Sequence, residues 1–321
     1  MRGLWLLFFL LSFAFSQTKH VKERVQEIVQ GVYGAFGYPE SANPQNRGFV
    51  SNAYFVITEE GVFVFDALGN YTLGKELIDA IRERTDKPIK FVVVSHYHPD
   101  HFYGLSAFKG LPVVILAHAQ AYEYLSDPSS TYALELRRQN MGKLMEGTSL
   151  VPPHVGIMGP VVLRLGGQTF EIKQLCPAHH PGDIIAWMPS KRVLFAGDLV
   201  FTGRVPFLGD ANTKLLISCL EELLKYEPEY LLPGHGQHIQ GKENIQREVK
   251  NLIKYVKDMR QVVRNLYLEG LSLQEVQNRV NEEMLKLDPS YAQMPLFFER
   301  TPANAYRVYL DIEDELLREG K

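Results

Sequence analysis

The chain has 321 residues, 45% of them hydrophobic and 22% charged, with a formal net charge of −3. That is the balance of a globular protein with room for one large domain or two small ones. The mild acidity excludes a broad electrostatic grip on nucleic acid or on an anionic membrane.

At the N-terminus, Arg2 precedes a nearly unbroken apolar run over 4–15. Its length suits a signal-peptide core and is short for a membrane span. Ala14 and Ser16 put small residues at the −3 and −1 positions of a cut before Gln17. An export signal over 1–16 is therefore expected, in preference to an uncleaved anchor. The mature protein is then periplasmic or secreted, without stable membrane insertion. Exported chains can form disulfides, but nothing in the spacing of Cys176 and Cys219 brings them together. The preferred reading is two small buried hydrophobes.

Next along the chain, β-rich runs over 49–58 and 62–67 predict a hairpin, and helical spacing follows over 73–85. The wholly apolar run Phe91-Val92-Val93-Val94 predicts a strand covered on both faces, and 113–116 predicts another. Segments 119–127 and 131–146 look helical. Runs over 161–165 and 169–175 alternate around Gly166-Gly167, a hairpin signal. A second hairpin is expected from 184–188 and 192–195, then a helix over 215–226 and a short strand over 230–232. From residue 242 the text is charged and helical, over about 243–269, 272–286 and 303–319. Alternating strands and helices predict an α/β sandwich over 17–241 with a C-terminal helical region over 242–321.

The chemistry concentrates in His96-Tyr97-His98-Pro99-Asp100-His101, directly behind an apolar strand. In extended chain, residues two apart point the same way, so His96 and His98 can aim at one metal. Asp100 and His101 fall on the turn that follows and can reach a second position. Imidazole and carboxylate suit zinc, with iron and manganese as alternatives. Three further ligand-type residues stand at strand ends, where α/β folds build their sites. They are His179 in His179-His180-Pro181-Gly182-Asp183, Asp198 after Gly197, and His235 between Gly234 and Gly236.

This set, in this order, resembles the metallo-β-lactamase superfamily over about 45–240. The resemblance implies an αββα sandwich with a two-metal site on one edge. It implies that His96, His98 and His179 hold one ion, that Asp100, His101 and His235 hold the other, and that Asp198 bridges both. His180 stands where the family usually has Thr or Ser and competes with His179 as ligand; the family's His-x-Pro-Gly order favours His179. His98 argues against the diiron oxygen-reducing flavoproteins, which usually have a carboxylate there. Asp198 looks less like true zinc β-lactamases than like glyoxalase II, other thioester and phosphoester hydrolases, and persulfide dioxygenases. The stretch 195–201, the export signal and the Arg204–Asp210 stretch resemble exported metallohydrolases associated with sulfur oxidation and quinoproteins.

The expected activity is hydrolysis of a small ester, thioester or related molecule by a hydroxide bridging two zinc ions per chain, with Asp100 orienting the hydroxide and carrying its proton. The alternatives are a mononuclear iron oxidoreductase acting on a persulfide, a β-lactamase, and a non-catalytic binding protein. The partner expected is a small molecule, and no nucleic acid. Asp66, at the end of a strand, is expected to fix a ligand or to cap its own turn. Arg204 is a candidate contact for an anionic substrate. His20, His118, His154 and His238 lack ligand spacing.

Overall fold

A computed structural model describes residues 20–320. The expected export signal over 1–16 lies outside them. The chain begins with two strands, β1 (Val25–Val29) and β2 (Val32–Ala35), followed by β3 (Ala53–Ile57) and β4 (Val62–Phe65). Helix α1 (Tyr71–Arg82) crosses to β5 (Ile89–Val93), and a one-turn helix, α2 (Pro99–Phe102), leads towards β6 (Val114–His118). Helices α3 (Gln120–Ser126) and α4 (Pro128–Met141) precede β7 (Val155–Ile157), the last strand of a seven-stranded sheet ordered β1 to β7.

The second half forms its own sheet from β8 (Val161–Leu165), β9 (Gln168–Lys173), β10 (Ile185–Met188) and β11 (Val193–Phe201). Helix α5 (Thr213–Leu223) then crosses to β12 (Tyr230–His235), which pairs with β13 (Ile239–Gln240). The order is β13-β12-β11-β10-β9-β8, with β11 and β12 parallel. Three helices complete the chain: α6 (Lys242–Leu268), α7 (Leu273–Leu287) and α8 (Phe297–Arg318).

Period-two sorting explains why the two sheets face each other. In β4, Phe63 and Phe65 point into the core between the sheets, while Val62 and Val64 point to the core under α1. In β11, Val193 and Phe195 face the other sheet, while Leu194 and Ala196 face a core that includes α5 to α8. Each sheet therefore carries helices on its outer face, as the αββα expectation requires. The C-terminal helices share one hydrophobic core with the second sheet rather than standing apart from it.

Four findings depart from the sequence reading. The strands β1 and β2 were not legible, because β1 is partly exposed at the sheet edge and lacks clean alternation. Asp100 and His101 lie in α2 rather than in an open turn, since Pro99 at its start suits a helix N-terminus. Helix α8 begins at Phe297, not 303, because it tolerates Pro302. Proline cannot donate to the Phe298 carbonyl, and Asn281 Nδ2 donates to that oxygen instead at 3.5 Å.

The fourth correction concerns the cysteines, which are bridged. Cys219 of α5 is buried and its Cα lies 6.0 Å from that of Cys176, within disulfide range. The bond closes a loop of 43 residues, for which chain entropy predicts about 4 kcal/mol of stabilisation at most. Replacing both cysteines by serine should lower stability by about 2–4 kcal/mol in chemical denaturation. A double variant as stable as the parent would show that the bridge constrains nothing.

Candidate metal centre

The site lies where the ends of β4, β5, β11 and β12 meet. His96 and His98 follow β5 directly, and His98 caps α2. His179 sits in the connection between β9 and β10, Asp198 within β11, and His235 at the end of β12. The connection carrying His179 is pinned twice: Ile184 N donates to Ser95 O at 2.8 Å, and Asn212 N donates to Ala178 O at 2.8 Å. Within it, the Asp183 carboxylate accepts from the His179 and His180 backbone amides at 2.7 and 2.9 Å. The two sheets are tied beside the site by Asn52, whose Nδ2 donates to Pro233 O and Gly236 O.

The seven expected donors form two groups: His96, His98, His179 and Asp198, and Asp100, His101 and His235. Within each, one donor atom per residue lies within 4.8 Å of the others. Asp198 stands between the groups. Its Oδ2 is 3.4 Å from His179 Nε2 and 3.3 Å from His235 Nε2, and its Oδ1 is 3.2 Å from His101 Nε2. Gly234 makes this position possible, since a Cβ there would fall 1.8 Å from Asp198 Oδ1. His180 is outside both groups; its Nδ1 accepts from Gly182 N at 3.0 Å.

Hydrogen bonds on the outer side of the rings decide which nitrogens face inward bare. Ser95 Oγ donates to Asp66 Oδ2 at 2.8 Å, so the His96 Nδ1–H must donate to Ser95 Oγ at 2.9 Å, leaving Nε2 without hydrogen. His101 Nδ1–H donates to Asp66 Oδ2 at 2.9 Å, and His235 Nδ1–H donates to Val50 O at 2.7 Å. His98 Nε2–H donates to Asp210 Oδ2 at 2.8 Å, which turns Nδ1 inward. His98 Nδ1 is then 2.9 Å from His96 Nε2 and 3.0 Å from His179 Nε2. His179 Nδ1 has no partner to fix its tautomer, but the bare His96 Nε2 and His98 Nδ1 repel unless a proton or a cation lies between them.

Charge gives the same answer. His101 Nε2 and Asp198 Oδ1 are buried without a hydrogen-bond partner. Burial opposes a charge on His101, but Asp198, Asp100 and Asp66 outweigh it and push its pKa well above the ordinary value. Burial likewise opposes ionisation of Asp198, yet His235 and His101 hold its carboxyl well below the usual range. The pocket therefore demands positive charge at its centre, and the donor set fits borderline divalent ions such as zinc.

Asp66 fixes ligand-type side chains, as one of its two expected readings had it. It adopts a left-handed backbone at φ 66° and is buried. Arg204 is buried beside His235, and the donors open into a cavity of about 440 Å³ lined also by Arg137, Phe207 and Arg300. His118, His154 and His238 stand outside the donor groups; His154 Nδ1 accepts from Ile115 N. Sequence reasoning missed Ser95, Asp183 and the part played by Asp210. All three act on ligand-type residues from the far side, and only the Asp–Gly spacing near His179 hinted at one.

Burial pushes His179 and His180 each down to about 3. In the unfolded chain they titrate near 6.5. Below that pH the unfolded state binds more protons than the native state, so the metal-free protein loses stability as pH falls from about 6.5 towards 3. Thermal midpoints in chelator should decline across this window, with Asp183 and Asp66, whose carboxyls burial pushes up, acting against the decline; a midpoint that rises between pH 6.5 and 4 would contradict the buried neutral imidazoles.

Comparison with known proteins agrees with this geometry. The chain is 26% identical over 210 residues to the metallo-beta-lactamase IND-1 of Chryseobacterium indologenes, covering 64% of this chain and 76% of that one. It is 24% identical over 269 residues to the linear primary-alkylsulfatase of a Pseudomonas strain, covering 73% of this chain and 49% of the relative. Among solved structures, a metallo-beta-lactamase family protein of Thermus thermophilus superposes with a TM-score of 0.65 at 20% identity, covering 92% of this chain and 95% of that one. A sec-alkylsulfatase from Pseudomonas gives a TM-score of 0.66 at 17% identity, covering 89% of this chain and 49% of the other. The chain thus spans about half the length of the alkylsulfatases it matches. The family model for the metallo-beta-lactamase superfamily matches residues 46–235, the segment that holds every donor described above, and the chain belongs to that superfamily.

Proposed function

We propose that this metal-dependent hydrolase is an exported enzyme with two zinc ions, acting on a small ester, thioester or related substrate. The observation that carries this reading is the convergence of five imidazoles and two carboxylates into two groups that meet at Asp198. His96, His98 and His179 would hold one ion, Asp100, His101 and His235 the other, and Asp198 both. Bound zinc would supply Lewis acidity towards the electrophilic oxygen and a water acidified to a pKa of ~7.

The chain's own groups do the rest. Burial opposes ionisation of Asp100, but His101 and His235 hold its carboxyl well below the usual range. It also lines the cavity, so an ionised acceptor faces the place where an attacking water loses its proton. Asp66 and Asp210 keep His101 and His98 in the tautomer that presents a lone pair. The disulfide supports an oxidising compartment, in keeping with the export expected from residues 1–16.

Elemental analysis of the purified mature protein should give two zinc per chain. One iron per chain would overturn the dinuclear zinc reading. Hydrolysis should be sought on a panel holding a β-lactam, a glutathione thioester, a sulfate ester and a phosphodiester, with glutathione persulfide as the oxidoreductase control. Replacing Asp198 by Asn should strip both ions and abolish turnover; full metal content with full activity in D198N would refute its bridging position. Asp210→Ala should weaken metal affinity by about 10–100-fold by releasing His98.

A further inference from the structure

Four of the five imidazoles in the donor set are held from outside by a hydrogen bond to the ring. His96 gives its outer hydrogen to Ser95, His98 to Asp210, His101 to Asp66 and His235 to Val50 O. His179 is the exception, since its Nδ1 is buried without a hydrogen-bond partner. Its ring is placed by packing near Phe201 and Phe207 and by its own backbone. That backbone belongs to the connection between β9 and β10, which has no helix or strand of its own. The position of the fifth imidazole therefore depends on how this connection is fastened.

After His179, Ile184 N donates to Ser95 O at 2.8 Å. Before His179, both ties go to α5. Asn212, the N-cap of α5, donates its backbone hydrogen to Ala178 O at 2.8 Å, and Cys176 is bonded to Cys219 within the helix. Asp183 and Gln174 hold the connection only to itself, through His179 N, His180 N and Pro181 O. The disulfide is thus the covalent tie between this connection and another element, three residues from the donor. None of the outward hydrogen bonds of the other four rings involves residues 174–184.

We propose that the Cys176–Cys219 bridge is a redox latch on the His179 donor, whose reduction weakens the ion of His96, His98 and His179 and spares that of Asp100, His101 and His235. The choice between two ions rests on the dinuclear reading above, while the coupling of bridge to donor does not. Cys176 is partly exposed and Cys219 only 2% exposed, so an incoming thiolate reaches the Cys176 sulfur. A dithiol supplies the electrons. One of its thiolates bonds to the Cys176 sulfur, the S–S bond breaks, and the Cys219 thiolate leaves. The second dithiol sulfur then displaces Cys176 and closes the reductant into its own disulfide. Two electrons pass to the protein, and its cysteines take up the two protons that the dithiol gives up. The chain keeps its full complement of metal only where an oxidising compartment holds the bridge closed.

The test uses the mature zinc-loaded protein, a double variant with Cys176→Ser and Cys219→Ser, and His179→Gln. Alkylation and mass spectrometry first count free thiols; two in the untreated protein would overturn the latch. Competition with a chromophoric chelator then reads zinc affinity without turnover, and the bridged protein should show two binding steps. After reduction by a phosphine and its removal, one step should weaken at least about ten-fold, as when a metal ligand loses its support, while the other stays within about two-fold. Reoxidation should restore the weakened step. The double serine variant, which has no thiol to bind zinc, should match the reduced protein. His179→Gln should weaken the same step, and reduction should then add nothing to it, because both changes act on one donor. A bridge that serves the fold alone would lower the thermal midpoint and leave both affinities unchanged, or weaken both alike; either result overturns the latch. If the serine variant does not fold, the reduced parent decides, with near-ultraviolet circular dichroism verifying its packing. Loss of that packing on reduction would make the bridge a requirement of the fold and overturn the latch. A single binding step in the bridged protein would overturn the dinuclear reading; the latch then stands if reduction weakens that step and falls if it does not.

Discussion

The carboxylate of Asp66 receives three hydrogen bonds, from Ser95 N, Ser95 Oγ and His101 Nδ1. Through Ser95 it also decides which nitrogen of His96 carries hydrogen. One buried acid thus orients rings in both donor groups. Burial raises its pKa, while His101 and Ser95 act against that rise. Its backbone is left-handed, a conformation that costs an ordinary side chain free energy and persists only when its surroundings hold it. Here the surroundings are the end of β4, the loop after β5 and α2.

Asp198 provides the complementary constraint from the other sheet. The nine residues of β11 are all buried, and the strand departs from regular register around Gly197. Gly197 has φ 53°, and a Cβ there would lie 2.7 Å from Ser95 Cβ. The irregularity therefore brings the second sheet close against the loop that carries His96. Irregular strands recur where a side chain must be re-aimed, and Asp198 is the next residue. The site is an agreement between two sheets, each delivering part of the charge that the other needs.

Much of this was legible in the sequence, for physical reasons. His96, His98, Asp100 and His101 are close along the chain and stand behind an apolar strand, so local geometry alone brings them together. His179, Asp198 and His235 could be assigned only by resemblance, because their convergence depends on the packing of β11 and β12. The α/β sandwich followed from the alternation of strand and helix patterns, and its αββα form from the resemblance, since an all-apolar strand such as β4 does not say which side chain faces which layer. The supporting groups were harder to see. Ser95 and Asp210 are single polar residues with no spacing rule of their own, and their importance lies in the partner. The Cys176–Cys219 bridge depended on a Cα distance that no spacing encodes. Pro302 read as a helix boundary because the compensating donor, Asn281, belongs to another helix.

The segment from Arg204 to Asp210 is held from far away in sequence. Asn304 of α8 receives Leu208 N on its Oδ1 and donates from its Nδ2 to Pro206 O, and Asp311 accepts from Thr213 at the start of α5. These contacts bridge 96 to 98 positions. Closing so long a stretch of chain is slow and comes after local pairing. A newly made chain can thus expose the histidines near β5 before Asp210 is in place to set the His98 ring. The ring orientation of His98 is thereby coupled, through Asp210, to contacts made by the last helix of the chain.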